Sequence, residues 1–156
     1  DEGRAKAQSL RAAMGTDQFA SDLGDTVAAL RGRDDCTGKV GVMGFCLGGK
    51  FTYLSSVRHE INAAVSYYGV QIDEHLDEAG ALKCPLILHF AETDPHVPQP
   101  TVDAIQARMG SWENADIHVY PGTEHGFNRY GYEPYNEAQA AIARQRTLAH
   151  FAAHLR

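Results

Sequence analysis

The sequence predicts an α/β protein with a mostly parallel β-sheet and helices on both faces of that sheet. Strand-sized apolar stretches alternate with helical stretches, and the strand stretches are nearly continuous apolar runs. Runs of that kind are typical of parallel strands that are covered on both sides. The chain has 156 residues, 44% of them hydrophobic, which is enough to bury the core of one domain. We therefore predict a single domain over residues 1–156.

Two helices are predicted at the beginning of the chain, over residues 4–14 and 17–31, because both segments have a helical composition. In the second segment apolar side chains recur at helical spacing, at Phe19, Leu23, Val27 and Leu30. Residues 1–35 contain no convincing strand, and the first residue is Asp rather than Met. We therefore expect a piece of a longer chain, or a processed product.

The middle of the chain alternates between strands and helices. Residues 39–45 are predicted to form a buried strand, because they are a short, β-branched run bounded by glycine. A glycine pair then begins a helix over 48–58, and apolar residues 61–68 form a second strand. Residues 69–84 are the one long irregular stretch, predicted as a loop with a short helix. The apolar run 85–91 is the third strand.

The last part of the chain repeats this alternation. Residues 99–110 are predicted as a helix, in which Pro100 is tolerated because it falls in the first turn. Residues 115–120 form a fourth strand, which a Pro-Gly pair ends. The Ala-rich segment 134–155 carries a largely apolar stripe and is predicted to be a long terminal helix.

Composition and charge exclude several classes of function. The net charge of −6 argues against a nucleic-acid partner. No run approaches the roughly 18 apolar residues of a membrane span. Three cysteines that form no CxxC pair indicate reduced thiols in a cytoplasmic protein. Eight histidines make no HExxH motif and no Cys/His ligand pattern, so we predict neither a metal site nor a cofactor.

Reactive residues follow three of the predicted strands. Residues 44–48 read G-F-C-L-G, the nucleophile-elbow pattern G-x-S-x-G with cysteine in the serine position. This places Cys46 after the first strand, while Asp94 follows the third and His125 follows the fourth. Function in open parallel sheets lies at the carboxyl ends of strands. The chain order of nucleophile, acid and histidine is that of the α/β-hydrolase fold.

The residue types predict nucleophilic catalysis by a Cys-His-Asp triad. Cys46 would be the nucleophile, because a helix N-terminus and a neighbouring histidine both favour its thiolate. His125 would take the thiol proton, and Asp94 would accept the other N–H of the ring. The backbone N–H of Leu47 would be one oxyanion-hole donor. Taken singly, a buried small thiol, a loop carboxylate and a surface histidine are also ordinary structural residues.

Three motifs resemble those of the dienelactone hydrolase (carboxymethylenebutenolidase) family of α/β-hydrolases. They are G-F-C-L-G-G at 44–49, A-E-T-D-P-H-V-P at 91–98 and G-T-E-H-G-F-N-R at 122–129. The resemblance implies a cysteine-dependent hydrolase that opens a lactone through an acyl-enzyme, with dienelactone converted to maleylacetate. It also implies that Arg129 binds a substrate carboxylate, and it suggests Arg4 as a second arginine. A planar guanidinium suits a carboxylate.

The chain also departs from the family pattern. The family has further strands ahead of this region, which carry a second oxyanion donor and a glutamate that contacts the resting thiol, and nothing here matches either. We expect the strand before the elbow to be an unprotected sheet edge, which would pair with a missing N-terminal chain or with a second copy.

Other functions remain open at this point. A generalist carboxylesterase or thioesterase could use the same scaffold. A non-catalytic remnant of the fold could keep the triad without turnover, and a redox-sensing thiol is a further alternative. The expected partner in the first case is a small ester or lactone that bears a carboxylate.

Overall fold

The computed structural model of the chain describes residues 2–156, without the side chains of Arg4, Arg11, Ala12 and Met14. The α-helices are α1 (Glu2–Met14), α2 (Thr16–Arg31), α3 (Leu47–Arg58), α4 (Gln99–Met109) and α5 (Glu137–His154). The strands are β1 (Gly41–Phe45), β2 (Ala63–Tyr67), β3 (Leu86–Ala91) and β4 (Ala115–Tyr120), and a 3₁₀ helix spans Asp73–Ala81. None of the described helices is long and apolar enough to cross a membrane.

The four strands form one parallel sheet in the order β1-β2-β3-β4. Phe45 at the end of β1 lies beside Tyr67 at the end of β2, and Tyr67 lies beside His89 in β3. Because all four strands run the same way, their carboxyl ends meet along one edge of the sheet. The loops that carry the predicted site residues leave from this edge.

Alternate side chains of each central strand enter two separate cores. In β3, Leu86 and Leu88 belong to a cluster that also contains side chains of α3 and α4. Ile87 and Ala91 belong to a second cluster that contains Ala143 of α5. Helices therefore cover both faces of the sheet, as the continuous apolar runs predicted.

The first strand differs from its prediction as a buried strand. Among the described residues β1 pairs with β2 alone, so it is an edge strand, as expected of the strand before the elbow. Met43 is 48% exposed and Phe45 is 43% exposed, although both are large and apolar. The prediction of burial was wrong because it took the apolar run to have neighbours on both sides.

Element boundaries move by a few residues from those predicted. The terminal helix begins at Glu137 rather than 134, because the side chain of Asn136 accepts the N–H of Gln139 at 3.1 Å and caps the first turn. The second strand covers five residues within the predicted 61–68. The short helix predicted within 69–84 is present as the 3₁₀ helix.

Candidate active site

The turn between β1 and α3 holds Cys46 in a rare backbone conformation. Its φ is 55° and its ψ is −118°, which an L-residue adopts only when the surrounding structure enforces it. The N–H of Cys46 donates to the carbonyl of Tyr67 at 3.0 Å, and its own carbonyl accepts the N–H of Gly49 at 2.9 Å. These bonds fix the turn, so the thiol stands at the carboxyl edge of the sheet above the start of α3.

Two glycines allow α3 to approach the sheet this closely. A Cβ on Gly44 would lie 2.1 Å from the carbonyl oxygen of Gly48, and one on Gly49 would lie 2.6 Å from the Cα of Gly69. No side chain fits at either position without moving the backbone. Gly48 itself has open space around its Cβ position, so close packing does not explain that glycine.

Asp94 lies in the loop after β3 and is almost fully buried, with 4% of its surface exposed. Its Oδ1 accepts the backbone N–H groups of His96 at 2.8 Å and Val97 at 3.2 Å. Its Oδ2 accepts the Nδ1–H of His125 at 2.7 Å. Both oxygens therefore have partners, and these bonds hold the carboxylate in one orientation toward the histidine ring.

His125 connects this carboxylate to the thiol, since the ring also hydrogen-bonds with Cys46. Burial is the largest influence on the imidazole and acts to lower its pKa. The hydrogen bonds to Asp94 and Cys46 and their negative charges together outweigh burial and raise the pKa of His125 to about 9. Because Nδ1 faces Asp94, Nε2 is the nitrogen left for the thiol.

The pKa of the Cys46 thiol is lowered by this arrangement. The hydrogen bond with His125 is the main cause, and it outweighs the opposing effect of burial. The backbone N–H of Leu47, the first residue of α3, adds to the lowering. The arrangement can therefore hold a thiolate next to an imidazolium, which is an activated sulfur nucleophile.

Comparisons with known proteins identify the family of this chain. The model of the dienelactone hydrolase family matches residues 1–155. The chain belongs to the dienelactone hydrolase family. It is 30% identical over 145 residues to the carboxymethylenebutenolidase of Pseudomonas putida, across 93% of this chain and 61% of that protein. It is 37% identical over 109 residues to a provisionally named carboxymethylenebutenolidase of Azospirillum brasilense, across 70% of this chain and 47% of that protein.

A solved structure supports the α/β-hydrolase fold of this family member. A provisionally named dienelactone hydrolase from Klebsiella pneumoniae superposes with a TM-score of 0.77 and 30% identity, covering 88% of this chain and 61% of that one. The chain thus spans about half to three-fifths of the length of the relatives that it matches.

Arg129 lies four residues beyond His125 in the dienelactone hydrolase motif, and its side chain is exposed. Its guanidinium carbon lies 5.0 Å from the centre of the Tyr132 ring, a cation–π contact. Tyr132 in turn lies against Gly126, next to His125, since a Cβ there would meet its ring at 3.1 Å. The predicted Arg4 belongs to α1, and its side chain lies outside the described residues.

The remaining thiols differ from Cys46. Burial raises the pKa of Cys84 to about 11, which keeps this thiol neutral. Cys36 lies in the loop before β1, and all three cysteines are free. No group of three or more His, Cys, Asp or Glu side chains within residues 2–156 is arranged to hold a metal ion.

Sequence reasoning missed Tyr68, which contacts His125, and Asn128, which bonds to Tyr68. The Tyr68 ring lies 4.6 Å from the His125 ring, centre to centre, and its hydroxyl donates to Oδ1 of Asn128 at 2.7 Å. Tyr68 directly follows β2, whereas the predicted reactive residues follow the other three strands. The ring of His96, in the loop that carries Asp94, also lies 4.8 Å from the His125 ring, centre to centre.

Proposed function

We propose that this chain carries the nucleophile of a cysteine-dependent hydrolase that opens lactones and esters. The observation that supports this most strongly is the placement of His125 between the Cys46 thiol and the Asp94 carboxylate. Three side chains from three separate loops meet in the order that nucleophilic acyl transfer needs. The roles of nucleophile, base and orienting carboxylate are proposed for Cys46, His125 and Asp94 in turn.

The first half of the reaction forms an acyl-enzyme. The Cys46 thiolate attacks the carbonyl carbon, a C–S bond forms, and the carbonyl electrons move to oxygen. When the carbonyl re-forms, the C–O bond of the ring breaks, and the imidazolium of His125 gives its proton to the leaving oxygen. The backbone N–H of Leu47 is proposed to donate to the transient oxyanion.

The second half releases the acid. Water attacks the thioester carbonyl while neutral His125 accepts one of its protons. The C–S bond then breaks, sulfur leaves as thiolate, and the proton on His125 again pairs with it. The net reaction adds one water to one ester bond. If the leaving group is an enol, as in an enol-lactone, it becomes a ketone.

The proposed substrate is a small lactone that bears a carboxylate, of the dienelactone type that would yield maleylacetate. Arg129 supports this choice because its guanidinium lies in the loop that carries His125 and suits a carboxylate. Arg4 stays a predicted second contact. The names of the Pseudomonas and Azospirillum relatives, both carboxymethylenebutenolidases, agree with this substrate class.

We also propose that residues 1–156 form one α/β-hydrolase domain whose sheet continues beyond β1. Met43 and Phe45 are exposed at this edge, where they line a surface groove. Leu148 of α5, which is 57% exposed, lines the same groove. In a longer chain, preceding strands would pair here.

For this chain alone we expect that a second copy pairs at this edge. Sedimentation should then detect a dimer, and Phe45→Lys should dissociate it. A monomer at all concentrations would contradict self-association.

The free state of all three cysteines supports the proposal of a cytoplasmic location.

The test of the proposed activity is the consumption of dienelactone, followed by its ultraviolet absorbance. The parent chain is compared with Cys46→Ala and with Cys36→Ala, which removes a thiol outside the site. We expect loss of substrate with the parent and with Cys36→Ala, and none above background with Cys46→Ala. Equal turnover by Cys46→Ala would refute the thiol nucleophile. No turnover by any of the three would favour the non-catalytic remnant for this chain.

A further inference from the structure

The loop after β4 contains both the proposed base and the proposed carboxylate-binding residue, and a buried tyrosine from outside the loop, Tyr68, contacts its middle part. Tyr68 lies after β2, and its ring packs against His125 and Phe127, with ring centres 4.6 Å and 5.9 Å apart. Its hydroxyl donates to Oδ1 of Asn128, the residue directly before Arg129, at 2.7 Å. One tyrosine thus contacts three residues of the loop, His125, Phe127 and Asn128.

The backbone of Tyr68 is itself held in an unusual conformation. Its φ is 36°, in the left-handed region that a bulky residue rarely adopts. Its N–H donates to the carbonyl of His89 at 2.7 Å, and 4% of its surface is exposed. Positive φ at an aromatic residue persists only when the surroundings enforce it, and such residues cluster at functional sites.

The exposed end of the loop consists of short turns. Short turns fold residues 126–132 back on themselves, with the N–H of Arg129 donating to the carbonyl of Gly126 at 2.8 Å and the N–H of Tyr132 donating to the carbonyl of Arg129 at 3.2 Å. Arg129 itself is exposed, and its described side-chain contact is the face of Tyr132. The Asn128 side chain therefore ties the residue next to Arg129 to the buried part of the site.

We propose that Tyr68 is a positioning residue for carboxylate recognition, acting through Asn128 to hold Arg129 at a fixed place relative to Cys46. The inference rests on the proposed function, because it assigns a specificity role within the same site. The hydroxyl of Tyr68 donates its hydrogen bond to Asn128 rather than to the thiol. Its loss should weaken the binding of anions and leave the reactivity of the thiol toward neutral reagents in place.

Two alkylating reagents test this without requiring hydrolysis. Iodoacetate and iodoacetamide both form a C–S bond with Cys46 and release iodide, but only iodoacetate carries a carboxylate. The ratio of their rates at Cys46, measured by peptide mass spectrometry, reports anion recognition. Tyr68→Phe removes the hydroxyl alone, and Tyr67→Phe is the matched control, because the Tyr67 hydroxyl bonds instead to Thr147 at 2.6 Å.

We expect Tyr68→Phe and Asn128→Ala each to lower the iodoacetate-to-iodoacetamide ratio by roughly three- to tenfold, the range of one hydrogen bond. Tyr67→Phe should leave the ratio unchanged. The double variant Tyr68→Phe/Asn128→Ala should lose no more than the larger single loss, because one bond is removed in each case. Arg129→Ala should show the largest drop.

An unchanged ratio in Tyr68→Phe would overturn the inference, as would losses that multiply in the double variant. A merely structural role would lower thermal stability and slow both reagents equally. If the parent chain fails to consume dienelactone while the ratios change as expected, the proposed activity fails and the positioning role stands.

Discussion

The Nδ1–H of His125 donates to Oδ2 of Asp94 at 2.7 Å, and the other oxygen of the same carboxylate is occupied by backbone N–H groups. These bonds hold the Asp94 carboxylate in one orientation, with Oδ2 facing the histidine. This relationship fixes which ring nitrogen is left for Cys46. The chemistry proposed for the thiol depends on it, because the carboxylate sets both the tautomer and the charge of the ring.

Replacing this carboxylate by an amide should therefore impair acylation severely. In Asp94→Asn the amide lacks the charge that helps raise the pKa of His125 and can stabilise the wrong tautomer. We expect kcat for dienelactone to fall by about 100-fold or more. Asp103→Asn, an exposed residue of α4, is the control and should keep its activity. Equal activity of Asp94→Asn and the parent would remove Asp94 from the mechanism.

Cys46 should react with iodoacetamide at neutral pH more readily than an ordinary thiol. Its pKa is lowered mainly by the hydrogen bond with His125, so His125→Ala should raise that pKa and shift the alkylation profile to higher pH. The rate at pH 7 should fall by roughly tenfold for each unit of this shift. The measurement is the rate at Cys46 from pH 5 to 10. Superimposable profiles in both proteins would contradict the pairing.

Arg129 should distinguish anionic from neutral substrates. Arg129→Ala is expected to lower kcat/KM for a carboxylate-bearing lactone by roughly ten- to a hundredfold, the loss of one charge-assisted interaction. A neutral ester should be hydrolysed about as fast as by the parent. Arg108→Ala is a matched control, since this arginine also lies over an aromatic ring, Trp112, but on α4. Equal losses for both substrates would favour a generalist esterase.

The glycines of the elbow offer a test of packing. In Gly44→Ala the new methyl would lie 2.1 Å from the carbonyl oxygen of Gly48, so the backbone must shift. We expect the free energy of unfolding to fall by about 1–3 kcal/mol, as for other overpacked sites. Gly48→Ala is the control, because its Cβ would meet open space. Chemical denaturation of both variants gives the comparison, and equal stability would contradict the described elbow.

The stability of the fold should depend on pH through His89. Burial is the largest cause, and the positive charges of His118, Arg146 and His150 add to it, so the pKa of His89 is lowered to about 3. An unfolded His89 binds a proton near pH 6.5, so the unfolded state gains protons first as the pH falls.

Stability should therefore decline from about pH 6.5 toward pH 3. His89→Gln cannot titrate, and its free energy of unfolding, from urea titrations at pH 7 and pH 5, should change less between the two than that of the parent. An equal or larger change in His89→Gln would refute the assignment.

The sequence predicted the helices and strands, and it indicated the three residues proposed as a triad, because both predictions depend on local signals. Apolar runs and glycines mark the strand ends, and parallel strands bring those ends to one edge. The apolar run by itself did not indicate the exposure of Met43 and Phe45, because exposure depends on the order of strands in the sheet. The resemblance to the family did indicate an open edge at this strand.

The bond between Tyr68 and Asn128 was missed for a related reason. It joins positions 60 residues apart, and the tyrosine has a positive φ. No local sequence pattern predicts a positive φ at a tyrosine. Contacts of this kind follow from the packed fold rather than from composition or spacing.

The most direct test of the thiol nucleophile is to identify the residue that carries the acyl group. The parent chain is mixed with an activated acetate ester, quenched in acid within its first turnover and mapped by peptide mass spectrometry. We predict an acetyl group on Cys46 that hydroxylamine removes and that is absent from Cys46→Ala. An acetyl group formed equally fast in Cys46→Ala, on any other side chain, would contradict the thiol nucleophile.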